Sequence, residues 1–271
     1  MIVCTILSTL VIKINLIKVQ IPVMSKRQSN NAFVLAVIWS LSVALSSSSL
    51  SLIDVGLFTV VKCAVPAWSA LLSYLILNKR VDTNILIALV FLVFGPILSS
   101  YADINLTLLG AIITNSVNLF TSLKITLSTK IFSESDAWEP IFLLNVMSPR
   151  AAIFLLPLTV SEIYYHSQTV PISQLLNAKI LLGLGFGGVL AFLLNASNFV
   201  TYKEMNSPLL YSVIGNVKKV GMYCVSLMVD PVPVTSVNIL GIFLTGIGVA
   251  YYSLIEYFKK QKAQSAKKFN I

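Results

Sequence analysis

The sequence predicts an all-α polytopic membrane protein, and three observations carry that prediction. Of the 271 residues, 56% are hydrophobic and only 11% charged, with a mean hydropathy of +0.87. A soluble domain carries about 25% charge, so too few polar side chains remain here to cover a water-facing surface. The apolar residues gather in segments, most of them close to the ~20 residues that cross a bilayer. Finally, the connections between those segments alternate between rich and poor in lysine and arginine, as topogenic charge does.

Taken in order, the segments are set by hydropathy and by the breakers between them. Ile2–Val23 runs to the polar SKRQSNN stretch. Asn31–Ile53 and Val55–Leu77 are parted only by Asp54, with Gly56 just behind it. Asn84–Ser100 is the shortest, lying between NKRVDT and YADIN. Leu106–Phe132 stops at SESD, and Ile141–Ile163 at a polar loop containing His166. Ile180–Tyr202, Pro208–Val229 and Thr235–Tyr257 complete the series, the last followed by FKKQKAQSAKK. The expected organisation is an N-terminal apolar segment (1–23), one membrane domain (24–258) and a basic tail (259–271).

Charge placement gives an orientation. Lys26, Arg27, Lys79, Arg80, Lys130, Lys203, Lys259, Lys260, Lys262, Lys267 and Lys268 fall on one set of connections, and only Lys179 on the other. The positive-inside rule therefore puts the C-terminal tail in the cytosol. The remaining basic residues, Lys13, Lys18, Lys62, Lys124, Arg150, Lys218 and Lys219, lie inside apolar segments. The acids (Asp54, Asp82, Asp103, Glu134, Asp136, Glu139, Glu162, Glu204, Asp230 and Glu256) map to loops or segment ends. The net charge of +9 is thus a property of the cytosolic flank and the membrane interior, not a nucleic-acid surface.

An interior lysine costs ~2.5–3.5 kcal/mol on insertion scales. Lys18 and Lys130, near segment ends, reach the interface by snorkelling. Lys62, Lys218 and Lys219 have apolar residues on both sides and call for an anionic partner. Lys124 and Arg150 stand between the two cases, Arg150 following Pro149, where a kinked helix leaves a carbonyl to bind it. With no internal counter-charge, a polyanionic ligand is the natural partner, and phosphate, whose oxygens several donors share, fits best.

Other features read as structure. Gly183, Gly185, Gly187, Gly188, Gly241, Gly246 and Gly248 match no phosphate loop and are expected to let helices approach closely. Pro66, Pro96 and Pro149 are expected to kink helices beside a cavity. The Ser46–Ser49 run suits hydrogen bonding between helices. Cys4, Cys63 and Cys224 sit in apolar stretches without metal-ligand spacing and read as small core residues. No nucleophile triad or metal cluster appears in the sequence, so neither enzyme chemistry nor a cofactor is expected.

Three stretches then resemble the triose-phosphate translocator and nucleotide-sugar transporter families of the drug/metabolite transporter superfamily. They are FTVVKCAVPAWSALLSYLILNKR, LFTSLKITLSTK, and SPLLYSVIGNVKKVGMYCVS with the DPVPVTSVNILGIFLTGIGVAYYSLIEYFKK that follows. The resemblance implies a ten-helix fold of two inverted repeats around a central site. On that count the chain's segments are the family's second to tenth helices, leaving the first without a counterpart. Either the chain is a truncated product, or a partner or altered N-terminus serves instead. Lys62 and Lys218 then occupy equivalent helices of the two repeats. The resemblance assigns the substrate phosphate to Lys62, Lys218 and Lys219, with Lys124 as a supporting cation.

Departures qualify the substrate. Lys219 stands where plastid phosphate translocators have arginine, which loses a bidentate fork. Val43 replaces a histidine, although Ser46 still offers a hydroxyl, and Asn195 replaces a phosphate-contacting tyrosine. FVTYKEMNSPLLYSVIGNVKK looks closer to Golgi and endoplasmic-reticulum members. The expected function is therefore antiport of organic phosphates or nucleotide sugars across such a membrane, by alternating access. The alternative is a non-transporting trafficking or assembly factor that keeps the fold. The partners implied are the phosphate-containing anion and membrane lipid, with a homodimer left open and nucleic acid not expected.

Overall fold

The computed structural model describes residues 1–14, 25–78, 82–101, 108–134, 138–167, 178–229 and 235–269. Among them every regular element is helical. In order these are α1 (Ile2–Lys13), α2 (Lys26–Leu50), α3 (Val55–Val61), a 3-10 turn (Lys62–Ala64), α4 (Val65–Leu77) and α5 (Thr83–Tyr101). There follow α6 (Leu108–Glu134), α7 (Pro140–Ser167), α8 (Ala178–Met205), α9 (Pro208–Val229) and α10 (Ser236–Phe269).

Local chemistry sets several of these ends. Ser25 and Gln28 close a capping box on α2: the Gln28 N–H donates to Ser25 Oγ at 3.3 Å, and the Ser25 N–H to Gln28 Oε1 at 2.9 Å. The helix therefore starts at Lys26, earlier than hydropathy suggests, and takes Lys26 and Arg27 into its first turn. Asn78 and Asn206 adopt φ of 51° and 46°, the left-handed residue that stops α4 and α8. Ser207 Oγ then accepts the Leu210 N–H at 3.3 Å, and Pro208 opens α9, where its missing N–H costs nothing.

Some sequence expectations change here. The span expected over Val55–Leu77 is two α-helices joined by the 3-10 turn. His166 lies in α7 rather than in a loop, because that helix continues to Ser167, and α10 carries its helical backbone through the basic stretch to Phe269. Of the segment expected over Ile2–Val23, only a helix of 12 residues is described; Lys18, like Lys79, Arg80, Asp103, Asp136 and Asp230, lies outside the described residues.

The chain divides into two compact units, Met1–Ala44 with Leu127–Asn206, and Leu45–Thr126 with Ser207–Ile271. In the first, α1 packs on α7 and α8. Asn145 of α7 donates to Ser8 Oγ at 3.1 Å and Thr9 Oγ1 at 2.8 Å on α1, and Ser40 of α2 donates to the Ala151 carbonyl at 3.1 Å. Such bonds tie helices together where the hydrophobic effect does not. Phe199 is wholly buried and packs edge-on against Trp39, Phe132 and Tyr202. Cys4 is a buried thiol.

In the second unit α5 lies along α10, while α9 contacts α3, α4 and α10. A Cβ on Gly95 would stand 2.6 Å from the Gly241 carbonyl oxygen and 2.7 Å from the Thr245 nitrogen; one on Gly248 would stand 3.0 Å from Leu92. These two glycines admit the close α5–α10 contact. Gly188 does the same for α1 in the first unit, facing Val3. Among the described residues, nothing lies within 4 Å of where a Cβ would stand on Gly183, Gly185, Gly187 or Gly246, so none of these packs there as the sequence predicts. Ser49, from the serine run, hydrogen-bonds Thr114 of α6 at 2.5 Å.

Among the described residues, α2, α6, α7, α8 and the continuous run of α3 and α4 through its 3-10 turn are each long and apolar enough to cross a membrane. Large apolar side chains such as Leu182 (74% exposed) and Phe186 (67% exposed) point outward, as a lipid-facing surface requires. The chain is an all-α, multi-pass membrane protein.

Candidate functional site

Pro66 is where the candidate site begins. A proline has no N–H for the carbonyl four residues back, here that of Lys62, and its ring collides with that carbonyl. The backbone answers with the 3-10 turn Lys62–Ala64, in which the Val65 N–H reaches back to the Lys62 oxygen. That N–H is then unavailable to Val61, its α-helical acceptor. A break of this kind inside a membrane survives only when other groups take up the freed carbonyls.

Four side chains donate to carbonyls at and beside the break. Asn118 Nδ2 of α6 donates to the Val61 carbonyl at 2.9 Å, and Ser122 Oγ, one turn along, to that of Val65 at 3.0 Å. From α9, Asn216 Nδ2 donates to the Cys63 carbonyl at 2.8 Å and Lys219 Nζ to that of Lys62 at 2.6 Å. Lys219 also donates to Asn216 Oδ1 at 2.7 Å, the three-residue spacing placing both on one helix face. Asn118 and Asn216 are fully buried. All these groups belong to the second unit.

The structure therefore brings Lys62 and Lys219 together, through the backbone of one and the ammonium of the other. The Lys62 ammonium lies 4.8 Å from the centroid of the Phe58 ring, a cation–π contact one turn back along the chain. Lys219 is half-buried and Lys218 exposed. Neighbours on an α-helix point ~100° apart, so the two lysines leave α9 in different directions. Lys124 is buried on α6, the helix that supplies Asn118 and Ser122, and Ser46 is half-buried on α2; both lie in the second unit. Asn195 belongs to the first unit, where its Nδ2 donates to the Ala191 carbonyl on its own helix at 2.7 Å. Arg150 is likewise of the first unit. Its guanidinium donates to the Ser29 carbonyl at 3.3 Å and to Ser29 Oγ at 3.2 Å, not to a carbonyl freed by Pro149.

The residues missed from sequence are the carbonyl caps Asn118, Ser122 and Asn216. The available signal was Pro66 itself, which obliges some donor to reach the Lys62 carbonyl, together with asparagines inside otherwise apolar helices.

Chemically, the arrangement holds ammonium groups at a helix break built from fixed hydrogen bonds. An ammonium has three donors, and Lys219 places two of them on protein acceptors, leaving one for a ligand oxygen.

Comparison with known proteins agrees with this architecture. The chain is 30% identical over 254 residues to a protein of Arabidopsis thaliana named "Probable sugar phosphate/phosphate translocator", covering 92% of this chain and 69% of the relative. It is 26% identical to a GDP-mannose transporter and 26% identical to a UDP-galactose transporter of the same organism. Both alignments cover 93% of this chain, with 74% of the first relative and 75% of the second. The Triose-phosphate Transporter family matches residues 1–253, and the chain belongs to that family of transporters.

Proposed function

We propose that this chain is an antiporter of organic phosphates or nucleotide sugars, working by alternating access in an endomembrane, the Golgi or endoplasmic reticulum, with its C-terminus in the cytosol. Residues 24–258 form the transporting body, and 259–271 a basic cytosolic tail. The observation that carries the reading is the meeting of Lys62 and Lys219 at the broken helix, with Lys218 beside them on α9. Lys62, Lys218 and Lys219 meet the substrate phosphate, Lys124 adds a supporting positive charge, and Ser46 offers a hydroxyl. The relatives named for sugar phosphate, GDP-mannose and UDP-galactose support a phosphate-bearing substrate. The lysine-poor connections on one side and the lysine-rich ones on the other support the orientation. Exchange follows from electrostatics: several cations in a low-dielectric site favour return of the carrier with another anion bound, since desolvated unpaired charge is costly.

The test is a thermal-shift screen of purified full-length protein against inorganic phosphate, hexose phosphates, nucleoside monophosphates and nucleotide sugars. A ligand at 100 times its dissociation constant adds about 2.7 kcal/mol of stability. The reading expects a shift with at least one phosphate-bearing class and its loss in Lys218→Ala. No shift with any anion, from folded protein, would overturn it in favour of a non-transporting role.

A further inference from the structure

We propose that Asn216 is a positioning residue of the transport site, holding the turn that carries Lys62 and, through it, the Lys62 ammonium. The proposal rests on the reading above, that Lys62 meets the substrate phosphate.

Asn216 uses both ends of its amide in one closed circuit. Nδ2 donates to the Cys63 carbonyl at 2.8 Å, and Oδ1 accepts from Lys219 Nζ at 2.7 Å. Lys219 in turn donates to the carbonyl of Lys62, the residue before Cys63, at 2.6 Å. On another side of the same turn Asn118 donates to Val61 at 2.9 Å. Three consecutive carbonyls, of Val61, Lys62 and Cys63, are thus held from outside their own helix, the first by Asn118 of α6 and the other two by Lys219 and Asn216 of α9. The amide of Asn216 is fully buried, where an unsatisfied polar group is expensive, so both of its bonds matter.

The turn sets where Lys62 points. A 3-10 helix advances ~120° per residue and an α-helix ~100°, so three residues of 3-10 rotate what precedes them by ~60° against α4. Pro66 starts the turn, and without the hold on the Lys62 and Cys63 carbonyls its residues settle in a different winding, which re-aims the ammonium. Asn216 does not itself need to touch substrate for this.

The experiment is a double-mutant cycle on purified full-length protein, read as the dissociation constant of the phosphate-bearing ligand that gives the largest thermal shift, with inorganic phosphate as a second probe. The proteins are wild type, Asn216→Leu, Lys62→Met and the double variant. Asn216→Leu is expected to weaken binding roughly 10–100-fold, by analogy with the loss of partners that orient metal-ligating side chains. In the Lys62→Met background the same change should weaken it less than about twofold, since coupled residues are not additive. Equal weakening in both backgrounds would overturn the proposal, because a merely structural role does not depend on Lys62. So would unchanged affinity in Asn216→Leu when Lys62→Met binds weakly. Unchanged affinity in Lys62→Met alone removes the site reading instead, a separate result. Should Asn216→Leu fail to fold, Asn216→Ala carries the same cycle, removing both amide contacts without adding a charge.

Discussion

Replacing Gly95 by alanine tests the packing of the second unit, and the structure sets its size. The new Cβ would lie 2.6 Å from the Gly241 oxygen and 2.7 Å from the Thr245 nitrogen. Both are backbone atoms that cannot swing away. An ordinary contact needs about 3.5 Å, so α5 and α10 must part by roughly 0.8 Å at this level. A gap of that size forfeits a quarter to a half of each contact's ~0.1–0.2 kcal/mol. Over on the order of 30 contacts near the crossing, the loss is about 1–3 kcal/mol, the usual scale of overpacking. Alanine also gains about 0.5–1 kcal/mol over glycine in a helix. Gly183→Ala shares that gain and meets nothing within 4 Å, so the difference between the two variants isolates the clash. At ~2–4 °C per kcal/mol, thermal unfolding in one detergent should place Gly95→Ala roughly 2–12 °C below Gly183→Ala. Gly248→Ala, with its nearest contact at 3.0 Å, should fall between them. Equal melting temperatures for Gly95→Ala and Gly183→Ala would refute the reasoning.

Further outcomes follow from the same contacts. Pro66→Ala restores the N–H that the Lys62 carbonyl lacks and permits regular α-helix; stability should hold or rise while phosphate affinity falls, measured by thermal shift. Arg150→Lys keeps the charge but loses the planar fork on Ser29, and should lower stability by about 1–2 kcal/mol, read from the melting temperature. Glu139→Gln breaks a partly exposed ion pair at 3.3 Å from Lys203; the change should stay below about 1 kcal/mol and shrink further in high salt.

The helices were largely legible because membrane spans announce themselves through composition and length. α9 was placed to the residue: Pro208 starts it, and the apolar run ends before the DPVPV stretch. Pro66 predicts a kink in its helix, but not the 3-10 turn at Lys62–Ala64 or the side chains that hold it. Hydropathy averages over a whole span and cannot register that one missing N–H, at Pro66, reshapes the three residues Lys62–Ala64. Lys62 and Lys219 could be singled out from the penalty of burying charge, but their link runs through the Lys62 carbonyl, a group with no sequence signature. The separation of Lys218 from Lys219 needed only the helical period. The glycines were misjudged in part because spacing marks small residues without saying which face they occupy. Gly95, which makes the tightest approach, stands outside the glycine-rich runs.

The measurement that bears most directly on the transport claim is uptake of labelled phosphate-bearing substrate into proteoliposomes, with and without the same class of anion inside. The account predicts rapid uptake only into preloaded vesicles, lost in Lys62→Met and in Lys218→Ala although both variants insert and fold. Uptake into empty vesicles at the same rate, or exchange at the wild-type rate in Lys218→Ala, would contradict it.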